Sequence, residues 1–107
     1  VLPDPNTAVD DATPRVTRLL GNTPNPFNPR TVIAFDLSGA TAPRLSVLDL
    51  RGREVCRLLD GQTLTPGRHQ VVWDGRDSTG RALASGLYLY RFRADGVTEE
   101  RKMLLTR

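Results

Sequence analysis

The chain has few of the residues from which chemical sites are usually built. Its 107 residues include one cysteine, Cys56, one histidine, His69, and one lysine, Lys102. A single cysteine cannot form an internal disulfide, and no Cys/His cluster has the spacing of metal ligands. No apolar run approaches the roughly 20 residues that a membrane span needs. These absences exclude a disulfide framework, a Cys/His metal site and a transmembrane segment.

The positive charge is also not concentrated anywhere. The net charge is +3, and almost all of the cations are arginines. They are scattered from Arg15 to Arg107 without forming a run, which argues against a dedicated phosphate-binding stripe. Because there are also no aromatic residues interleaved with a basic run, we expect no nucleic-acid partner.

The first residues differ in composition from the rest. Residues 1–14 contain three prolines, three aspartates and small residues, with no period of 2 or 3.6. This composition predicts a flexible linker that follows an upstream domain, with the compact domain in residues 15–107. No basic segment followed by an apolar one opens the chain, so we expect any signal peptide to lie further upstream.

The chain is organised around a segment rich in asparagine and proline, residues 22–29, which we call the strap. Its three prolines fix their own φ angles, and each pushes the preceding residue away from helix. We therefore expect a rigid extended segment in which asparagine side chains cap local turns. Its aromatic residue, Phe27, is expected to fill a hydrophobic layer underneath.

The rest of the chain alternates apolar and polar residues in short runs separated by turn formers. Ile33, Phe35 and Leu37, for example, share one face of a strand. Residues 49–53 form a predicted turn in which Gly52 has a positive φ. No helical pattern of useful length occurs, so the pattern predicts an antiparallel β-sandwich of six or seven strands. The predicted strands pass through Val16 and Leu20, then residues 31–37, Leu45 and Val47, and residues 55–59, 69–73, 87–94 and 97–106.

Several short motifs follow the strap in order. They are Val47-Leu48-Asp49, Gly52-Arg53-Glu54-Val55, Trp73-Asp74-Gly75, Ala84-Ser85-Gly86-Leu87-Tyr88 and Lys102-Met103-Leu104-Leu105. Together with the strap they resemble the C-terminal sorting domain of type IX secretion substrates, which overlaps with the immunoglobulin-like domain of flagellar hook-capping proteins. The chain departs from that pattern at Thr23 and Leu48, where the family usually has tyrosine. The resemblance implies an all-β, immunoglobulin-like antiparallel β-sandwich of about seven strands.

The resemblance also implies a function. Such a domain ends a larger secreted protein and is recognised by an outer-membrane translocation apparatus in Bacteroidota-type bacteria, after which it is often removed or exchanged for a lipopolysaccharide-type anchor. A short apolar strand at the end of the chain could be engaged at an exposed edge or at its tail. The residues implied in export are Lys102, Met103, Leu104, Leu105, Thr106 and Arg107, and those implied in the structural motif are Pro24, Asn25, Pro26, Phe27, Asn28, Pro29, Gly52, Arg53, Gly86 and Tyr88.

Three chemical roles compete with simple structural roles for particular residues. Cys56 and His69 are interpreted as packing or surface residues, because nothing in their spacing demands that they meet. Asp74 and Asp77 are weak calcium candidates, but their spacing and the lack of a following Glu favour side-chain-to-backbone turns. The aromatic residues Trp73, Tyr88 and Tyr90 lie on apolar strand faces, which favours burial over sugar stacking.

We therefore expect a monomeric, non-catalytic module with no cofactor and no bound metal. The favoured function is export and cell-surface attachment, with the secretion machinery and an upstream domain of the same polypeptide as partners. One alternative is a structural or assembly module like the domain of hook-capping proteins. Another is an ancillary carbohydrate-binding module, which buried aromatic residues would exclude.

Overall fold

The computed structural model describes residues 13–107. Most of the predicted linker, residues 1–14, lies outside the described residues. Within residues 13–107 there is no helix, and so none long and apolar enough to cross a membrane. All regular structure there is β, in seven strands. They are β1 (Arg18–Thr23), β2 (Thr31–Leu37), β3 (Arg44–Leu48), β4 (Glu54–Asp60), β5 (Gly67–Trp73), β6 (Gly86–Ala94) and β7 (Val97–Leu105).

The strands form two antiparallel sheets, which confirms the predicted sandwich. One sheet has three strands in the order β1-β2-β5, and the other has four in the order β4-β3-β6-β7. β3 and β4 form a hairpin about the predicted turn at residues 49–53, and β6 and β7 form a second hairpin. Gly52 has a φ of 84°, as the turn between β3 and β4 requires. The last strand, β7, is an edge strand and pairs along its length only with β6.

The core lies between the two sheets and is filled from alternate positions of the strands, as the period of two predicts. Buried tyrosine and tryptophan need partners for their polar atoms. The indole N–H of Trp73 donates to the carbonyl of Arg76 at 3.0 Å, and the Tyr88 hydroxyl donates to the carbonyl of Ala84 at 2.7 Å. The core residues are Leu19, Phe27, Ile33, Phe35, Leu37, Leu45, Val47, Trp73, Tyr88, Tyr90, Phe92, Ala94, Met103 and Leu105.

The first strand differs from its prediction. It begins at Arg18 and runs to Thr23, so that it leaves out Val16 and includes the first residues of the strap. Val16 is 61% exposed, whereas Leu19 is buried in the core. The register with β2 shifts between Leu19 and Gly21. Such an irregularity adds a residue to one strand and breaks the simple alternation. Leu20 therefore lies in the strand as predicted, whereas Val16 does not.

One carboxylate is buried in the three-stranded sheet. The side chain of Asp36 is only 4% exposed and accepts two hydrogen bonds from Arg68, at 2.9 and 3.3 Å. A second cation, Arg18, lies 3.6 Å from the same carboxylate. The hydrogen bonds to Asp36 raise the pKa of Arg68. This paired arrangement is what a buried charge requires.

Candidate interaction site at the chain end

The strap is joined to the end of β7 by backbone hydrogen bonds. The N–H of Phe27 donates to the carbonyl of Leu104 at 2.9 Å, and the carbonyl of Phe27 accepts from the N–H of Thr106 at 2.8 Å. The Thr106 hydroxyl donates to the same carbonyl at 3.2 Å. Below this contact the Phe27 ring is 1% exposed and lies 5.6 Å from the ring of Trp73. The predicted burial of Phe27 is confirmed.

The asparagines of the strap do more than cap turns. As predicted, Asn22 caps locally, donating from its amide to the carbonyl of Pro24 at 3.3 Å. The amide oxygen of Asn22 also accepts from the Tyr90 hydroxyl at 3.0 Å. Asn25, in contrast, accepts from the N–H of Leu104 at 2.9 Å and so satisfies a donor at the edge of β7. One asparagine thus anchors the strap to the core, and the other anchors it to the last strand.

Arg107 fastens the chain end to the loop between β5 and β6. Its backbone N–H donates to the Ser85 hydroxyl at 2.8 Å, and its guanidinium donates to the carbonyls of Gly75, at 2.7 Å, and Leu83. The approach is close, because a Cβ built on Gly75 would lie 2.8 Å from Arg107 Nη2 and 3.0 Å from the carbonyl oxygen of Pro29. The last residue therefore contributes to the fold.

The six residues implied in export divide into two groups. Met103 and Leu105 are 1% and 0% exposed and belong to the core. Leu104 is partly exposed, and the remaining three residues are exposed. A partner that meets the folded domain can therefore contact only the second group directly. The accessible residues are Lys102, Leu104, Thr106 and Arg107.

The free edge of β7 is only partly covered. The N–H and carbonyl of Leu104 point away from β6 and toward the strap. In an antiparallel pair every second residue has this orientation, so the N–H and carbonyl groups of Lys102 and Glu100 also point away from β6. In the part of the chain that the structure describes, the N–H and carbonyl groups of Lys102 and Glu100 have no backbone partner. The charged side chains of this segment are a common protection of an edge against nonspecific pairing.

The structural-motif residues outside the strap lie in turns and at the start of a strand. Gly52 and Arg53 belong to the β3–β4 turn, where the Asp49 carboxylate accepts from the N–H of Arg51 and of Arg53, both at 2.9 Å. The hydrogen bond from the Arg53 backbone is the main cause of a lowered pKa at Asp49. Gly86 opens β6. These positions shape the end of the sandwich where the chain finishes.

The weak calcium candidates have another role. One carboxylate oxygen of Asp77 accepts from the N–H and hydroxyl of Thr79, at 2.9 and 2.6 Å, and from the N–H of Arg81 at 3.0 Å. The side-chain hydrogen bond from Thr79 is the largest cause of the lowered pKa of Asp77. Asp74 lies 3.8 Å from Arg76. Residues 13–107 bring together no group of three or more potential metal ligands.

The potential nucleophile and base are not brought together. Cys56 lies in β4 of the four-stranded sheet, and His69 lies in β5 of the other sheet. The His69 ring donates from Nε2 to the carbonyl of Thr65 at 2.7 Å and stacks on Phe35, with ring centroids 5.6 Å apart. Burial raises the pKa of Cys56, which suppresses the thiolate.

The aromatic residues offer no sugar-stacking platform. Trp73 is 1% exposed, Tyr90 is 1% exposed, and Tyr88 is 9% exposed. The three phenylalanines of the chain are buried as well. Since every Phe, Trp and Tyr is in the core, the carbohydrate-binding interpretation loses the exposed aromatic faces on which it depended.

The comparisons with known proteins agree with this architecture. The model of the FlgD Ig-like domain matches residues 21–99, so the chain belongs to the FlgD Ig-like domain family. It is a structural immunoglobulin-like module of the FlgD type. No curated protein matches the chain.

Three solved structures share the fold. The chain aligns with dimeric latent PorU from Porphyromonas gingivalis at 20% identity and a TM-score of 0.67, covering 84% of this chain and 9% of that one. It aligns with PorZ of the same organism at 16% identity and a TM-score of 0.55, covering 94% of this chain and 12% of PorZ. It aligns with FlgD of Pseudomonas aeruginosa at 24% identity and a TM-score of 0.51, covering 71% of this chain and 60% of that FlgD chain. The chain thus spans less than two thirds of each of these proteins.

Sequence reasoning found the strap and the last strand but missed their connection. The hydrogen bonds of Phe27, Asn25 and Arg107 join segments that are far apart in the chain. No local pattern indicates that the strap covers the edge of β7 at Leu104.

Proposed function

We propose that this chain is a non-catalytic module that directs export and cell-surface attachment of a larger protein through a type IX secretion pathway. The observation that carries the proposal is the ordered series of motifs from the strap to Lys102-Met103-Leu104-Leu105, within which the strap and the chain end form one structural unit. In this proposal residues 1–14 link the module to an upstream domain, and the machinery contacts the accessible residues of the chain end.

Two further observations support the proposal. PorZ, which shares the fold, is described as an essential bacterial surface component of the type IX secretion system. The accessible residues of the chain end also lie side by side, with Lys102 and Leu104 exposed along one edge strand and Arg107 just beyond it. A sheet edge next to a fixed chain end is a suitable target for peptide or protein recognition.

A second candidate is a structural or assembly module, as in hook-capping proteins. Membership of the FlgD Ig-like domain family favours it directly. In that role the module would hold its neighbours in an assembly and would carry no export information. The two candidates differ in whether a passenger fused to this chain reaches the cell surface.

The test must leave the fold intact. Deleting β7 would remove Met103 and Leu105 from the core, so a failure of export would report unfolding. We would instead fuse a periplasm-directed fluorescent passenger to residues 12–107 in a bacterium with the type IX machinery. The wild-type fusion is compared with the double variant Lys102→Ala/Leu104→Ser and with Val72→Ser, an exposed position of the other sheet.

The proposal predicts that the wild-type and Val72→Ser fusions reach the surface or medium and that the double variant stays in the periplasm in folded form. If the wild-type fusion itself remains in the periplasm, the export function is wrong for this chain and the assembly function takes its place. If all three fusions are exported equally, the chain directs export, but the accessible side chains at its end do not carry the signal.

A further inference from the structure

The outer face of the four-stranded sheet has an apolar end near the end of the chain. Leu89 of β6 faces Leu48 on one side and Lys102 on the other, and Leu87 faces Leu104. None of these leucines belongs to the core between the sheets. Leu87 is 44% exposed, although Leu48 is covered by its neighbours. We call Leu87, Leu89 and Leu104, which are at least partly exposed, the outer leucine patch.

The face as a whole carries an excess of positive charge. Arg91 is paired with Glu100, and Arg57 is paired with Glu54 and Asp60. Within the described residues no carboxylate lies within 4.0 Å of Arg93 or Lys102. The cations of the face are Arg44, Arg57, Arg91, Arg93 and Lys102, against the carboxylates Glu54, Asp60 and Glu100.

Two of these cations are placed unfavourably for the isolated domain. Arg44 and Arg93 lie directly opposite each other on β3 and β6, and like charges in that position destabilise a sheet. Asp60 offsets this only weakly, since its carboxylate is 4.0 Å from Arg44 and both side chains are more than half exposed. Proteins break such local rules mainly at functional or strained sites.

We propose that this outer face is a docking surface for an acidic protein surface. The partner would place apolar side chains on the outer leucine patch and carboxylates against Lys102 and the Arg44–Arg93 pair. This inference rests on the proposed export function and deepens it, because it extends the recognised surface from the chain end to β6 and β3. The face spans about 14 Å across four strands and about 20 Å along them.

That size indicates a transient contact. A standard interface buries about 800 Å² on each partner, and this face alone provides less. Apolar contacts beside Lys102 at one end and the Arg44–Arg93 pair at the other would fix the orientation of the partner. An export module must be released after passage, so a small interface whose association is assisted by charge is suited to it.

A protein partner fits the face better than a membrane or a second copy of the chain. Membrane interfaces are enriched in Trp and Tyr, and here all six aromatic residues are buried. In a symmetric pair of these faces, a surface with five cations and three carboxylates would meet its own excess of positive charge. Complementarity therefore calls for an acidic partner.

The experiment uses the passenger fusion described above with two groups of substitutions in β6. Leu87→Ser/Leu89→Ser removes the centre of the patch, with Val72→Ser as its matched control on the other sheet. Arg93→Glu reverses the unpaired charge, with Arg93→Lys as the conservative variant. Arg30→Glu is the charge control, since Arg30 is exposed and belongs to neither sheet. Thermal unfolding of each purified variant checks that the fold is retained.

We expect Leu87→Ser/Leu89→Ser and Arg93→Glu each to lower surface delivery by about tenfold or more, as loss of a central contact does in other interfaces. Val72→Ser, Arg93→Lys and Arg30→Glu should stay within about twofold of wild type. If the wild-type fusion is exported and the β6 variants are exported equally well, the docking surface is wrong and the export function stands. If the wild-type fusion is not exported, both fail together.

Two further measurements test the nature of the partner. The purified chain is sedimented with vesicles of phosphatidylethanolamine and phosphatidylglycerol, and its mass is measured by analytical ultracentrifugation. Vesicle binding that is lost in Leu87→Ser/Leu89→Ser would assign the face to a membrane, and a dimer lost in the same variant would assign it to a second copy. Either result would overturn the proposal, whereas a monomer that does not bind vesicles supports it.

Discussion

Phe27 and Leu105 form a parallel β-bridge that joins the proline-rich strap to the end of the last strand. The bridge is flanked by a second contact in which Asn25 accepts a hydrogen bond from Leu104, 79 positions further along the chain. Both residues of the bridge are buried in the core. The strap and the chain end should therefore form and break as one unit.

The first prediction concerns this bridge. Phe27→Ala should lower the free energy of unfolding by about 3–5 kcal/mol, because it removes a fully buried ring. It should also speed amide hydrogen exchange at Leu104 and Thr106, whose backbone groups bond to Phe27 and Asn25. Urea denaturation and exchange monitored by NMR measure the two effects. Val72→Ala, at an exposed site, should cost less than about 0.5 kcal/mol, and an equal loss in both variants would contradict the prediction.

The second prediction concerns the close approach of the chain end to Gly75. Gly75 and Gly80 have φ angles of +76° and +89°, so alanine is strained at both positions. At Gly80 an added Cβ meets nothing within 4 Å, whereas at Gly75 it meets Arg107 and Pro29. Gly80→Ala should cost about 1 kcal/mol, and Gly75→Ala should cost at least about 1 kcal/mol more. If urea denaturation gives the same loss of unfolding free energy for both variants, Arg107 and Pro29 move away from the added Cβ at no cost and the prediction is wrong.

The third prediction concerns acid stability. The pKa of Asp77 is lowered in the folded protein, so its contribution is present above the unfolded pKa, about 4, and is lost as the pH falls through the folded value. Asp77→Asn cannot titrate, so wild type should be more stable than this variant at neutral pH and should lose that advantage below about pH 4. Chemical denaturation from pH 7 to pH 2 measures the difference. A difference that stays constant over this range would contradict the role of Asp77.

The fourth prediction concerns the single thiol. Burial raises the pKa of Cys56, so the thiolate fraction at neutral pH is smaller in the folded protein than in the unfolded chain. Cys56 should react with iodoacetamide more slowly in the native protein than in urea, because burial in the folded state lowers the fraction of thiolate. The variant Cys56→Ser has no thiol and so measures any alkylation of other residues. Equal rates in both states would show that Cys56 is freely accessible.

Much of the fold could be predicted from local patterns. Ile33, Phe35 and Leu37 lie at alternate positions and form the buried face of β2, and Gly52 adopts the positive φ that its turn needs. The start of β1 could not be predicted in this way. Its register shift between Leu19 and Gly21 is set by pairing with β2, a segment that lies later in the chain.

The sequence by itself determined the two-layer β architecture, because alternation and turn residues act over a few positions and decide which side chains can be buried. It also placed the strap and the terminal motif in order along the chain. Only the tertiary structure decided that these two segments meet, that Met103 and Leu105 are inaccessible while Lys102 and Leu104 are not, and that three leucines from two strands form one outer patch. These relationships depend on the order of strands within a sheet and on contacts between distant segments, which local physical chemistry permits but does not specify.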